Sequence, residues 1–132
     1  MIQEHQQKKA LVMIVDDEED SLSVFSTSLK RDGYNVHAFS DPVTALEHFR
    51  YSPNECQLII SDVRMPGLSG FQLARKVKEI NPKVKVVLTS AFEINPSEFE
   101  SVLPDVPVDG FLDKPLSLKQ LAETVEKQLA TE

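Results

Sequence analysis

Three carboxylates, a hydroxyl and an amine stand at positions where they could act together. Asp16 and Asp17 directly follow the apolar run LVMIV, and Asp62 directly follows QLIIS. Thr89 and Ser90 close a run that begins at Val84, and Lys114 follows the short stretch opened by Gly110. Carboxylates brought close together repel, and their pKa values rise unless a cation sits between them. Hard oxygen ligands with water positions left open suit Mg²⁺, with Mn²⁺ as the alternative. An ion held there could seat a phosphoryl donor beside one of the acids. Attack by a carboxylate oxygen would then give an acyl phosphate. Lys114 would neutralise phosphoryl oxygens as a point charge, and the Ser90 hydroxyl would hydrogen-bond another. Positioning and charge neutralisation are most of what phosphoryl transfer requires of a protein.

For these groups to meet, the apolar runs must lie side by side with the same polarity. Leu11 to Val15 is a continuous apolar run of strand length, as in a parallel sheet covered on both faces. A helix follows from about Asp20 to Arg31, with Leu22, Phe25 and Leu29 on one side, stopped by Asp32-Gly33. Tyr34 to Phe39 forms a second strand. Asp41 caps a second helix with Pro42 in its first turn and Ala45, Leu46 and Phe49 inside. Gln57 to Ser61 is the third strand. Ser69 caps a third helix that buries Phe71, Ala74 and Val77, with Ile80 at its end, and Asn81-Pro82 closes it. Val84 to Thr89 is the fourth strand. A helix starting at Asn95-Pro96, with Phe99, Val102 and Leu103 inside, is cut short by Pro104 and Pro107. Gly110 to Leu112 is the fifth strand. Ser117 and Gln120 form a capping box before a last helix with Leu118, Leu121, Ala122, Val125 and Leu129 as its buried stripe. Five strands alternating with five helices imply a doubly wound α/β fold, a parallel sheet with helices on both faces. In such sheets sites form beyond the C-terminal strand ends, where the acids, Ser90 and Lys114 stand.

Composition narrows the class. The 132 residues are 41% apolar and 27% charged, enough for one domain with its own core. We read residues 1–9 as a disordered lead-in and 10–130 as the domain. The net charge of −7 argues against direct nucleic-acid binding, which needs clustered cations. The apolar runs are too short to span a bilayer. A single cysteine, Cys56, cannot form an intrachain disulfide, so a cytoplasmic setting is expected.

VDDEED (Val15 to Asp20), SDVRMPGLSG (Ser61 to Gly70), TSAF (Thr89 to Phe92) and DKP (Asp113 to Pro115) together resemble the receiver domain of two-component response regulators. Each motif alone is weak; four in order, each at the end of its strand, are specific. The resemblance covers about residues 10 to 130 and implies a flavodoxin-like (βα)5 fold with strand order 2-1-3-4-5. It implies Asp62 as phosphoacceptor, and Asp17, Asp62 and the backbone carbonyl of Arg64 as metal ligands, with Asp16 acting through water. Ser90 takes the switch position, a register fixed by the following Ala91, whose backbone also lies at the phosphate. Lys114 matches the phosphate-binding lysine and Phe111 the aromatic that turns inward when Ser90 is drawn to the phosphate. Arg64 and Phe92 occupy positions that tune the lifetime of the phosphorylated state; both are bulky, which implies slow self-dephosphorylation. The implied partners are a sensor histidine kinase or phosphotransfer protein and a downstream protein target. The chain would be a signalling phosphoacceptor, not an enzyme, although it contributes to its own phosphorylation and dephosphorylation.

Blander readings compete at each position. The acids from Glu18 to Asp20 suit a solvated helix N-terminus. Asp62 alone could be a turn residue before Pro66, Lys114 a surface lysine, and Ser90 a strand-end hydroxyl. His5, His37 and His48 show no metal-site spacing, and the basic stretch Arg75 to Lys85 reads as a solvated face. Among other functions, a receiver-like adaptor independent of phosphate is the main alternative, but such chains usually lose one of the acids or the lysine. A flavin site is excluded by DDEED where a phosphate loop should be, and a dehalogenase-type phosphatase by Arg64 where a second acid is required. The segment from Phe92 to Asp109 departs from the family pattern, which puts the usual dimer in doubt and suggests a distinct docking surface.

Overall fold

The computed structural model describes residues 10–91 and 108–130. Five strands and four helices lie within them: β1 (Leu11–Val15), α1 (Glu19–Arg31), β2 (Asn35–Phe39), α2 (Pro42–Tyr51), β3 (Cys56–Asp62), α3 (Gly70–Ile80), β4 (Lys85–Ser90), β5 (Gly110–Asp113) and α4 (Leu118–Ala130). The strands form one parallel sheet in the order β2-β1-β3-β4-β5, as the sequence implied. The helix expected from Asn95 lies outside the described residues.

Each helix start can be traced to its sequence. Asp41 accepts a hydrogen bond from the Val43 N–H with Pro42 at the first position of α2. Ser69 and Gln72 exchange hydrogen bonds in a full capping box at α3, and Ser117 and Gln120 do the same at α4. The α1 cap, Glu18, makes no side-chain capping bond; Glu19 and Asp20 in its first turn and Lys30 and Arg31 in its last suit the helix dipole instead. Gly33, at φ 102°, turns the chain out of α1 toward β2 in a conformation that side chains resist.

The sheet separates two apolar cores. Met13, Val15, Ile59, Val86 and Leu88 point to one face, where α2 and α3 bury Phe49, Leu73 and Val77 against them. Val12, Ile14, Leu58, Ile60 and Val87 point to the other, where α1 and α4 supply Leu22, Leu29, Leu121 and Val125. This alternation along strands buried on both sides is why β1, β3 and β4 read as unbroken apolar runs. The expected stripe of α4 needs correction. Leu121 and Val125 are fully buried, Ala122 and Leu129 are half-buried, and Leu118 is 44% exposed. Leu118 is the first residue of α4, one turn short of Leu121.

Candidate phosphoacceptor site

Strand register brings the expected groups to one rim. Val15, the last residue of β1, is level with Phe39 and Ser61, so Asp16 and Asp62 emerge side by side. Asp62 is level with Thr89, and Ser90 with Asp113. The ladder continues past the strands: Val63 N–H donates to the Thr89 carbonyl at 2.9 Å and Lys114 N–H to the Ser90 carbonyl at 2.8 Å. These bonds fix the loop bases from which Asp62 and Lys114 project.

One carboxylate oxygen from each of Asp16, Asp17 and Asp62 lies within 4.8 Å of the other two. Asp16 is buried and doubly held, its Oδ1 accepting from the Glu18 N–H at 2.9 Å and its Oδ2 from Lys114 Nζ at 2.8 Å. Asp17 is exposed at the mouth. The Asp62 side chain is 12% exposed, and its Oδ2 accepts from Lys114 Nζ at 3.4 Å. Lys114 thus bridges two acids, with Glu18 Oε1 at 3.7 Å as a third. Burial pushes the Asp62 carboxyl above its ordinary value; Lys114 opposes this, and the negative charge of Asp16 adds to it. Burial alone would pull Lys114 down, but its hydrogen bond and charge contact with Asp16, then the pull of Asp62, hold it above the ordinary lysine value. The lysine is therefore a firm ammonium, and the three-acid cluster retains an oxygen-rich face that suits a hard divalent cation.

The remaining expected residues frame this centre. Ser90 is buried at the end of β4, on the same strand face as Leu88 and Val86. Phe111 is level with Leu88 and packs on that face, with its ring centroid 6.2 Å from that of Phe71. Strand parity therefore pairs Ser90, and not Thr89, with the Phe111 side of the sheet. Arg64 is exposed in the loop after β3, lining a hollow of about 550 Å³ with Met65, Pro66 and Phe71. Ala91 lies with Lys114, Glu18 and Pro115 on the wall of a second hollow beside the acids. Phe92 lies outside the described residues.

Two contributors were missed in the sequence. Glu18, read as a solvated acid, reaches Lys114. Gly70, inside the quoted motif but given no role, starts α3 directly against the Asp62 peptide: a Cβ there would run into the Asp62 carbonyl oxygen and come within 3.0 Å of Val63 Cα. The Gly70 N–H donates to the Val63 carbonyl at 2.8 Å. A glycine directly after the Ser69 cap was the available signal, but only the packed geometry shows what it avoids.

A parallel sheet in the order β2-β1-β3-β4-β5 with an acid cluster and a lysine at its C-terminal rim places the chain among the doubly wound α/β proteins whose sites lie beyond the strand ends. Residues 12–126 match the response regulator receiver domain family. The chain belongs to that family, whose members are signalling domains, typically phosphorylated on an aspartate and typically binding Mg²⁺ at an acidic pocket. It is 30% identical over 122 residues to the response regulator receiver protein CpdR of Brucella abortus (strain 2308), covering 89% of this chain and 95% of that one. It is 36% identical over 120 residues to the sensor kinase CckA of the same organism, covering 91% of this chain but 12% of the kinase. Among solved structures, the chemotaxis protein CheY4 of Vibrio cholerae superposes with a TM-score of 0.81 at 26% identity, covering 90% of this chain and 98% of that one. A receiver domain protein from Clostridium thermocellum shares the fold with a TM-score of 0.82 at 24% identity, over 92% and 94% of the two chains. Among the described residues, no helix is long and apolar enough to cross a membrane.

Proposed function

We propose that this chain accepts a phosphoryl group on Asp62 from a sensor histidine kinase or a phosphotransfer protein, and passes the change to a downstream protein. The observation that carries this reading is the Asp16, Asp17 and Asp62 cluster bridged by Lys114. Asp17, Asp62 and the Arg64 carbonyl would hold Mg²⁺, or Mn²⁺, with Asp16 acting through water. The ion, when bound, supplies neutralisation of phosphoryl charge. An Asp62 carboxylate oxygen attacks phosphorus as the bond to the donor nitrogen breaks, the electron pair leaving with that nitrogen. Lys114, 3.4 Å from Asp62 Oδ2 and fully charged, moves from a carboxylate partner to a phosphoryl oxygen with little displacement. Ser90, on the face shared with Phe111, then donates to the phosphoryl group, and the repacking of Phe111 alters the docking surface. Arg64 and Phe92 shield the acyl phosphate from water and prolong its life.

The test is intact mass after incubation with Mg²⁺ and a small acyl-phosphate donor. The wild type should gain one phosphoryl group and Asp62→Asn none, with Lys114→Ala accepting far more slowly. A folded wild type that gains nothing from either this donor or a phosphorylated phosphotransfer protein would leave the phosphate-independent adaptor as the better reading.

A further inference from the structure

The end of the sheet opposite the acids carries the reverse charge. The starts of β3 and β4, the turn between α3 and β4, and the end of α4 wall a cleft of about 670 Å³. Lys78, Lys83 and Lys85 all line it. Lys78 is committed to Asp109 at 2.8 Å, and that same carboxylate oxygen takes the Val86 N–H at 2.8 Å. Asn81 is committed too, donating to the Pro53 carbonyl at 2.9 Å and accepting from the Lys83 N–H at 3.1 Å. Lys83 and Lys85, by contrast, have no carboxylate within ion-pair distance among the described residues, and neither do Arg75 and Lys76 on α3. Residues 75–85 hold five cations and one acid, Glu79, a net +4; the whole chain is −7, so the remainder carries −11.

We propose that this cleft docks a short acidic segment of a partner protein, at the end of the sheet remote from Asp62. Its volume falls in the range of ligand-sized pockets, about 300–1,000 Å³, so acidic side chains can enter between the ammonium groups instead of lying across a flat surface. Two ammonium groups with no carboxylate partner among the described residues, beside a satisfied Lys78–Asp109 pair, offer charge complementarity without breaking an existing bridge. The strongly negative remainder repels a long polyanion, which selects a short acidic peptide over nucleic acid. Because the walls come from the N-terminal strand ends, the segment can bind without competing for the rim.

The probe is a capped hexaglutamate peptide titrated into isotope-labelled full chain, followed by backbone amide shifts. We expect shifts concentrated at residues 78–85, Asp109 and Gln128, lost at high salt. A Lys83→Gln/Lys85→Gln double variant should bind about tenfold more weakly, and Lys83→Arg/Lys85→Arg should restore binding. Phosphoryl acceptance at Asp62 should be the same in all three proteins. The proposal is overturned if the shifts lie elsewhere, if the glutamine variant binds as well as the wild type, or if an oligothymidylate of equal charge produces the same shifts with equal affinity.

Discussion

At the scale of single residues, environment decides behaviour more than identity does. Asp62 is an acid whose ionised form is disfavoured by burial and by Asp16, despite Lys114. Its folded pKa lies above the unfolded one, so ionised Asp62 costs stability at neutral pH, and the cost disappears as pH falls through the carboxylate range. Without divalent ions, Asp62→Asn should therefore melt at a higher temperature than the wild type at pH 7, and the gap should close on acidification; thermal scans across pH check this. Cys56 shows the same physics away from the acids. Its buried thiol, with Sγ 3.3 Å from the Leu58 carbonyl, is pushed up to about 12 from 9.0. The thiolate fraction at pH 8 falls about a thousandfold, so alkylation of the native protein should be slower by about that factor than in denaturant. His37 and His48 show no metal-site spacing in the sequence. They are exposed, yet their Nδ1 and Nε2 atoms lie 2.9 Å apart across β2 and α2. Burial, then the neighbouring His48, holds His37 below its ordinary value. Nothing in their sequence spacing announces such a contact, because it depends on where α2 lands on an edge strand.

At the scale of elements, most of the architecture was legible and most of the fine contacts were not. Apolar runs marked β1, β3 and β4 to within a residue at each boundary because burial on both faces leaves no polar alternation to misread. Caps were legible because Ser117 and Gln120, or Asp41 and Pro42, act locally. The acids, Ser90 and Lys114 could be placed on one rim because parallel strands share a polarity. That Lys114 would bridge Asp16 and Asp62, and that Glu18 would join them, required side-chain geometry spanning most of the chain. Leu118 failed because helical periodicity reports a face and not how far along that face burial extends. Gly70 is where the start of α3 meets the end of β3. Gly70→Ala should cost about 2 kcal/mol in chemical denaturation, since the new methyl group meets backbone that cannot swing aside, and it should also slow phosphoryl acceptance by displacing Asp62.

At the scale of the whole molecule, the acidic rim makes stability depend on its occupant. A divalent ion that binds the folded chain and not the unfolded one stabilises by mass action. At tenfold over its dissociation constant, Mg²⁺ should add about 1.4 kcal/mol, roughly 5 °C in Tm for a domain of this size, and much less in Asp62→Asn. The sheet itself carries a further consequence. Its two faces hold cores with no buried side chain in common: one contains Phe49, Val77 and Leu88, the other Leu29, Leu121 and Val125. In evolutionary terms the sheet is a firewall. Substitutions on the α2–α3 side should therefore need no compensating changes on the α1–α4 side, and paired variants drawn one from each core should lose stability additively.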